Sequence, residues 1–351
     1  MIREEHGNLL RSDAEALVNT VNTVGVMGKG IALQFKRAYP EMFRAYERAT
    51  AGGDVRIGEM FVWETGALSG PKFIINFPTK RHWRSPSRIE DIESGLRGLV
   101  DVIAQRKILS IAIPPLGCGN GGLAWDEVAP RIWESLTPIA DSVDVRIYPP
   151  EGAPPASQMV NRTSPPQMTA ARAAIIKLLY VYEMASDHAT TLIEAQKLAY
   201  FLQISGENLR LDFVQGRYGP YADNLRKALS HMEGHFICGF GDGSAKALDA
   251  EPLTVVGAAV GRAEEVLADA KTTARRVDRV IGLTEGFASM YGMELLATVH
   301  WASLRSRTRD IGEIVEIVQS WNERKNRIFT TPHIAFALDK LDSDGWLAAV
   351  E

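Results

Sequence analysis

Three loops carry the residues best suited to chemistry. The first contains Asn19, Thr20, Val21 and Asn22, then Gly25, Gly28, Lys29, Gly30 and Ile31. Glycines let a backbone approach a ligand closely and take positive φ. A helix starting near Gly30 would point free N–H groups at an anion. Asn19 and Asn22 can both donate and accept hydrogen bonds, which suits sugar hydroxyls. The string fits a ligand bearing phosphate and ribose. It is not a P-loop, since no Gly-Lys-Ser/Thr stands at the required spacing, and its glycines do not give the dinucleotide fingerprint. The second loop, Pro115-Leu116-Gly117-Cys118-Gly119-Asn120-Gly121-Gly122, is a run of backbone donors able to wrap a diphosphate. Cys118 has no evident His partner and is not read as a nucleophile. The third loop, Thr79-Lys80-Arg81-His82-Trp83-Arg84, offers a lysine together with a basic and aromatic patch. A partly desolvated Lys80 would become a base or an amine nucleophile. The patch suits phosphates with a stacked base, a solvated charged loop being the alternative.

Each loop follows an apolar run, so the elements that position them are strands. Residues 16–21, 72–77 and 108–113 read as buried strands, the second stopping at Pro78, with a late strand at 143–148. Between them lie a helix from Gly30 towards Pro40 and an amphipathic helix over 87–104. Strand and helix in alternation predict an α/β domain with a largely parallel sheet, whose ligands sit in the loops beyond the carboxyl ends of the strands. Residues 167–351 read as mainly helical: segments 169–185, 193–203, 222–234, 254–272, 276–290, 292–304 and 311–323 have helical apolar spacing. A glycine-rich loop or hairpin falls at 237–243, and a winged-helix-like tail over 311–346 is an alternative for the end of the chain.

Length and composition agree with two domains. The chain has 351 residues, 46% hydrophobic and 23% charged, with a net charge of −4. This excludes a disordered chain and argues against a strongly basic nucleic-acid clamp. Charges balance over 1–150, so the acidity lies in 151–351. The boundary is expected in the proline-rich stretch, giving domains over 1–155 and 167–351 joined by a linker over 156–166. Two cysteines imply no disulfide framework, and no apolar run is long enough for a membrane span. We expect a cytoplasmic protein with no membrane association, no metal site and no cofactor. His231 and His235, four apart on a predicted helix, read as a solvated face.

The three loops together resemble those of the macrodomain family, over about residues 1–150. That resemblance implies an α/β/α fold that binds ADP-ribose. Asn19 and Asn22 with 28–32 are similar to the family's first ligand loop, 115–123 to its phosphate loop, and Gly7-Asn8-Leu9-Leu10 to the adenine contact, where the family often has Asp in place of Asn8. On this resemblance the ADP-ribose contacts are Asn8, Leu9, Asn19, Thr20, Val21, Asn22, Gly30, Ile31, Thr79, Gly117, Cys118, Gly119, Asn120, Gly121 and Gly122. The lysine in Asn76-Phe77-Pro78-Thr79-Lys80 resembles that of the DarG-type DNA ADP-ribosyl glycohydrolases, antitoxins paired with DarT-type toxins. It implies hydrolysis of the bond between ADP-ribose and thymine in single-stranded DNA, with Lys80 catalytic and Arg81 and Trp83 near the base. A similar human glycohydrolase uses an Asp where this chain has Asn120. Within 195–202 and 216–221 the second half looks like the Panacea antitoxin domain, which implies binding and neutralising a cognate DarT-like ADP-ribosyltransferase. Two alternatives stay open: a non-hydrolytic ADP-ribose reader, and a hydrolase acting on ADP-ribosylated protein or ADP-ribose 1″-phosphate.

Overall fold

The computed structural model describes residues 1–186 and 188–347. The chain forms two compact units. One comprises Met1–Ser164 with Asp242–Ser244, the other Pro165–Gly241 with Ala245–Glu351.

The first unit is built on strands β1 (Ile2–Glu4), β2 (Ala16–Asn22), β3 (Phe61–Glu64), β4 (Phe73–Lys80), β5 (Ser110–Ile113) and β6 (Asp144–Ile147). They form one sheet in the order β1-β6-β5-β2-β4-β3. Every pairing is parallel except β3 against β4. Side chains alternate across the central strands. Ala16, Val18, Ile75 and Phe77 pack with α3 (Ile89–Arg106) and α4 (Trp125–Leu136). Leu17, Val21, Ile74 and Ala112 pack with α1 (Gly30–Ala38) and α2 (Pro40–Ala51). Helices thus cover both faces, as a buried parallel sheet requires, and the unit is an α/β/α sandwich.

Three details depart from the sequence reading. The helix expected to close near Pro40 is followed at once by α2, which uses Pro40 as its first residue, the position where a missing N–H costs nothing. β1 and β3 are short edge strands without an apolar run to announce them. β4 runs through Pro78 to Lys80. β3 pairs with it only as far as Asn76, so beyond that point β4 is bordered by β2 alone, and proline is tolerated there. The register shifts between Val21 and Asn22, which sets Asn22 opposite Lys80.

The second unit is helical: α5 (Ala170–Ser186), α6 (Leu192–Ile204), α7 (Asp223–Met232), α8 (Gly257–Asp269), α9 (Lys271–Thr284), α10 (Met290–Ser306), α11 (Ile311–Ser320), α12 (Glu323–Ile328) and α13 (Thr331–Ser343). A short hairpin, β7 (Val214–Gly216) with β8 (Gly219–Tyr221), and a pair, β9 (Ile237–Cys238) with β10 (Thr254–Val255), complete it. The glycine-rich segment is therefore one strand and a loop, its partner lying further along the chain in what read as the start of a helix. The tail holds three helices and no strands among its described residues, so it is not a winged helix. His235 lies beyond the end of α7, so it does not share a helix with His231.

α6, α10 and α12 bury charge. Lys197, Glu294 and Lys325 are at most 2% exposed. Lys197 Nζ donates to the Pro220 carbonyl at 2.6 Å, and Lys325 Nζ donates to Glu294 Oε1 at 2.7 Å and to Thr298 Oγ1 at 3.0 Å. Burial, reinforced by Lys325, pulls the Lys197 amine down to about 7. The native state therefore holds fewer protons than the unfolded chain above that value. Stability should rise between about pH 7 and pH 10, the window bounded by the native and unfolded lysine values. A denaturant titration at several pH values should show this slope, and Lys197→Met should flatten it.

Candidate active site

The end of β4, the start of α1 and the loop after β5 meet at Asn120. Lys80, the last residue of β4, donates its Nζ to the Asn120 carbonyl. Gly30, the first residue of α1, has φ +62°, and a side chain there would bring a Cβ to 2.8 Å from Asn120 Nδ2. The loops singled out from the sequence are thus brought together: the amine, the start of α1 and the glycine loop share one residue as neighbour.

The glycine loop is folded on itself. Cys118 N–H donates to Pro115, Gly122 N–H to Gly119 and Leu123 N–H to Gly117. Among the described residues the N–H groups of Gly119, Asn120 and Gly121 have no partner, leaving consecutive donors of the kind that bind phosphate oxygens. Gly121 can be nothing larger, because a Cβ there would lie 2.1 Å from the Gly117 carbonyl oxygen and 2.4 Å from Ser87 Oγ. Ser87, which no sequence signal marked, backs this loop. Its N–H donates to the Gly121 carbonyl at 2.9 Å, and its buried hydroxyl has no partner among the described residues. Cys118 is half-buried, and burial pushes its thiol up to about 11. It stays protonated at neutral pH. Cys118→Ser should leave turnover within about twofold, since a protonated thiol is a poor nucleophile. A steady-state assay checks this.

Burial lowers the Lys80 amine below its ordinary value of 10.5. Desolvation is the one cause, and no carboxylate contributes. Asn120, whose carbonyl the amine meets, brings no ionisable side chain. Arg81 does not contribute either, because it forks onto Asp91 at 2.9 and 3.3 Å. Trp83 is exposed, stacked on His82 at 5.6 Å and covered on one face by Arg84 at 4.5 Å. It sits outside the core, where a base could reach it.

Several residues expected at the ligand also carry local structure. Asn22 Nδ2 donates to the Val26 carbonyl at 2.6 Å, while its Oδ1 accepts from Val24 and Val26 N–H at 3.0 and 3.3 Å. The Tyr46 hydroxyl donates to the Asn22 carbonyl. The Asn22 side chain thus holds the first loop in shape, and one of its two Nδ2 hydrogens is used in doing so. Asn19 is fully buried and donates to Asn76 Oδ1 at 2.9 Å, one layer below the loop. Thr79 is buried with its hydroxyl 3.4 Å from the Val21 carbonyl. Asn8 caps a short 3-10 turn, accepting from Leu10 N–H at 3.0 Å and donating to the Gln158 carbonyl at 3.2 Å, while Leu9 is buried. Thr20 and Ile31 are half-buried beside the first loop.

This sheet, with its glycine loop and its strand-end lysine, is that of a macrodomain, and the Macro domain family matches residues 18–132. A DNA ADP-ribosyl glycohydrolase of Thermus aquaticus is 46% identical over 351 residues, 100% of this chain and 96% of the relative. A DNA ADP-ribosyl transferase-DNA ADP-ribosyl glycohydrolase fusion protein of Thermosipho africanus is 35% identical over 159 residues, 41% of this chain and 40% of the fusion. The solved macrodomain of Mycobacterium tuberculosis DarG is 60% identical and covers 43% of this chain and 99% of that one, with a TM-score of 0.42. The chain belongs to the DNA ADP-ribosyl glycohydrolase family, a family of hydrolases. No helix among the described residues is long and apolar enough to cross a membrane.

Proposed function

We propose that the first unit hydrolyses the N-glycosidic bond between ADP-ribose and thymine in single-stranded DNA, and that the second unit binds and neutralises a DarT-like ADP-ribosyltransferase. The observation that carries the enzymatic part is the convergence of the Lys80 amine with the glycine loop at Asn120. The free amides of 119–121 hold the diphosphate and so fix C1 of the distal ribose. Lys80 then attacks C1. The C1–base bond breaks, its electron pair leaves with the base nitrogen, and water afterwards releases ADP-ribose from the lysine adduct. A lowered amine value favours this route, because the attacking form is neutral. The other route keeps Lys80 charged, to stabilise the departing base while water attacks C1 directly. The exposure of Trp83 supports a role for it in stacking on the base. The fusion of transferase and glycohydrolase in the Thermosipho relative supports the pairing with a toxin.

The test incubates the full chain with an oligonucleotide carrying ADP-ribose on thymine. Release of ADP-ribose is the expected result. Binding of free ADP-ribose without release from any substrate would make the protein a reader. Release from modified protein or from ADP-ribose 1″-phosphate, but not from DNA, would move it to another substrate. Co-elution with the transferase, and inhibition of it by a Lys80→Ala chain, tests the second unit apart from catalysis.

A further inference from the structure

The second unit contains a cavity of about 640 Å³ between the β7–β8 hairpin and the start of α12. Arg217, Arg324 and Arg327 line it, with Trp321, Asn322 and Gln215 among its other walls and Glu323 as its one acid. Such a volume is ordinary for a small-molecule site.

Its charge is not matched locally. Arg217 and Arg327 are exposed and form no salt bridge among the described residues. Arg324 pairs with Glu294 at 2.6 Å, but that carboxylate is shared with Lys325 at 2.7 Å. One buried negative charge therefore faces two cations, and the wall behind the cavity stays positive. The walls are also held in place. Trp321 Nε1 donates to the Gly216 carbonyl at 2.9 Å and Asn322 Nδ2 to the Arg217 carbonyl at 3.1 Å, tying the hairpin to the start of α12. Arg217 and Arg324 both lie over the Tyr218 ring, at 5.6 and 5.2 Å from its centroid. Rigid planar guanidiniums present forked donors that match phosphate oxygens, and a fixed indole offers a face for a base. This built, basic and aromatic cavity lies in the half of the chain that carries the net negative charge.

We propose that this cavity is a second ligand site, which takes the phosphate and base of a nucleotide, either free or within single-stranded DNA. The proposal does not depend on the glycohydrolase reading, since none of its residues belongs to the first unit.

The experiment measures binding of a labelled, unmodified oligothymidylate to the full chain by fluorescence anisotropy, with the arginine variant below run beside the wild type to separate this site from the first unit. Thymidine monophosphate serves as competitor. Arg217→Glu with Arg327→Glu should weaken binding about tenfold or more. The pair should also reduce the slope of log affinity against log salt by about 1.4, the value for two phosphate contacts on a single strand. Both side chains are exposed, and an unchanged melting curve would show that the variant folds. Competition by the mononucleotide assigns the site to free nucleotides; binding of the oligonucleotide alone assigns it to the strand. No binding by the wild type, or binding that the double variant leaves intact, overturns the proposal. So does capture of an acidic peptide in place of either nucleotide probe.

Discussion

Lys80→Ala should lower turnover on ADP-ribosylated single-stranded DNA by about a thousandfold, within the usual range for loss of a positioned proton-transfer or nucleophilic group. Binding of free ADP-ribose should weaken by no more than about fivefold, the size of one exposed charge contact. The two readouts separate a chemical role from a binding role, because a purely positioning lysine would move both together. Lys80→Arg sharpens the test. It keeps the charge but removes the attacking amine, so an amine nucleophile predicts failure and a cation stabilising the departing base predicts partial activity. The pH profile decides in the same direction. Burial lowers the Lys80 amine below 10.5. On the nucleophile route kcat/KM rises as pH climbs through that lowered value. On the charged route it falls there. A rate that ignores both substitution and pH would remove Lys80 from the mechanism.

Glu294→Ala should destabilise the second unit by about 3–5 kcal/mol, the cost of stranding a buried charge. Its carboxylate is fully buried and receives both Lys325 and Arg324 through Oε1, while Oε2 has no partner among the described residues. Removing it leaves Lys325 without a counter-ion, in reach of an already depressed Lys197. Urea denaturation should show the loss. Replacing Lys325 by Met in the same chain should restore much of it, since an apolar replacement of a buried pair is often neutral. A loss below about 1 kcal/mol would mean that water or a rearrangement satisfies the lysine, because that is the size of an ordinary exposed pair.

Much of the first unit can be read from the chain. Buried strands announce themselves as apolar runs, and a strand-end lysine between glycine-rich loops is visible as spacing. Lys80, Gly30 and Asn120 could therefore be chosen before any geometry, and they meet. The role of Asn22 could not be read. An asparagine at a strand end suits a sugar and suits an Asx-type turn equally, and only the positions of Val24 and Val26 reveal the turn. β3 was hidden because an edge strand of half-buried residues has no continuous apolar signature. Ser87 was hidden because its contact with Gly121 joins loops far apart in sequence. In the second unit Lys197, Glu294 and Lys325 look like any polar positions on helices. Their burial is a matter of tertiary packing, in which the turn at Gly219, with φ +95°, lies against Lys197 and Thr298.

The partner of Lys80 is a main-chain oxygen, not a side chain. Every amino acid supplies that oxygen, so the latch on the amine is indifferent to the codon at position 120. It is sensitive instead to loop length. Deleting one residue between Gly117 and Gly121 would slide a different carbonyl under the amine and leave the residue types around it almost unchanged. Substitution scans across this loop would therefore miss the contact, and single-residue insertions and deletions would find it.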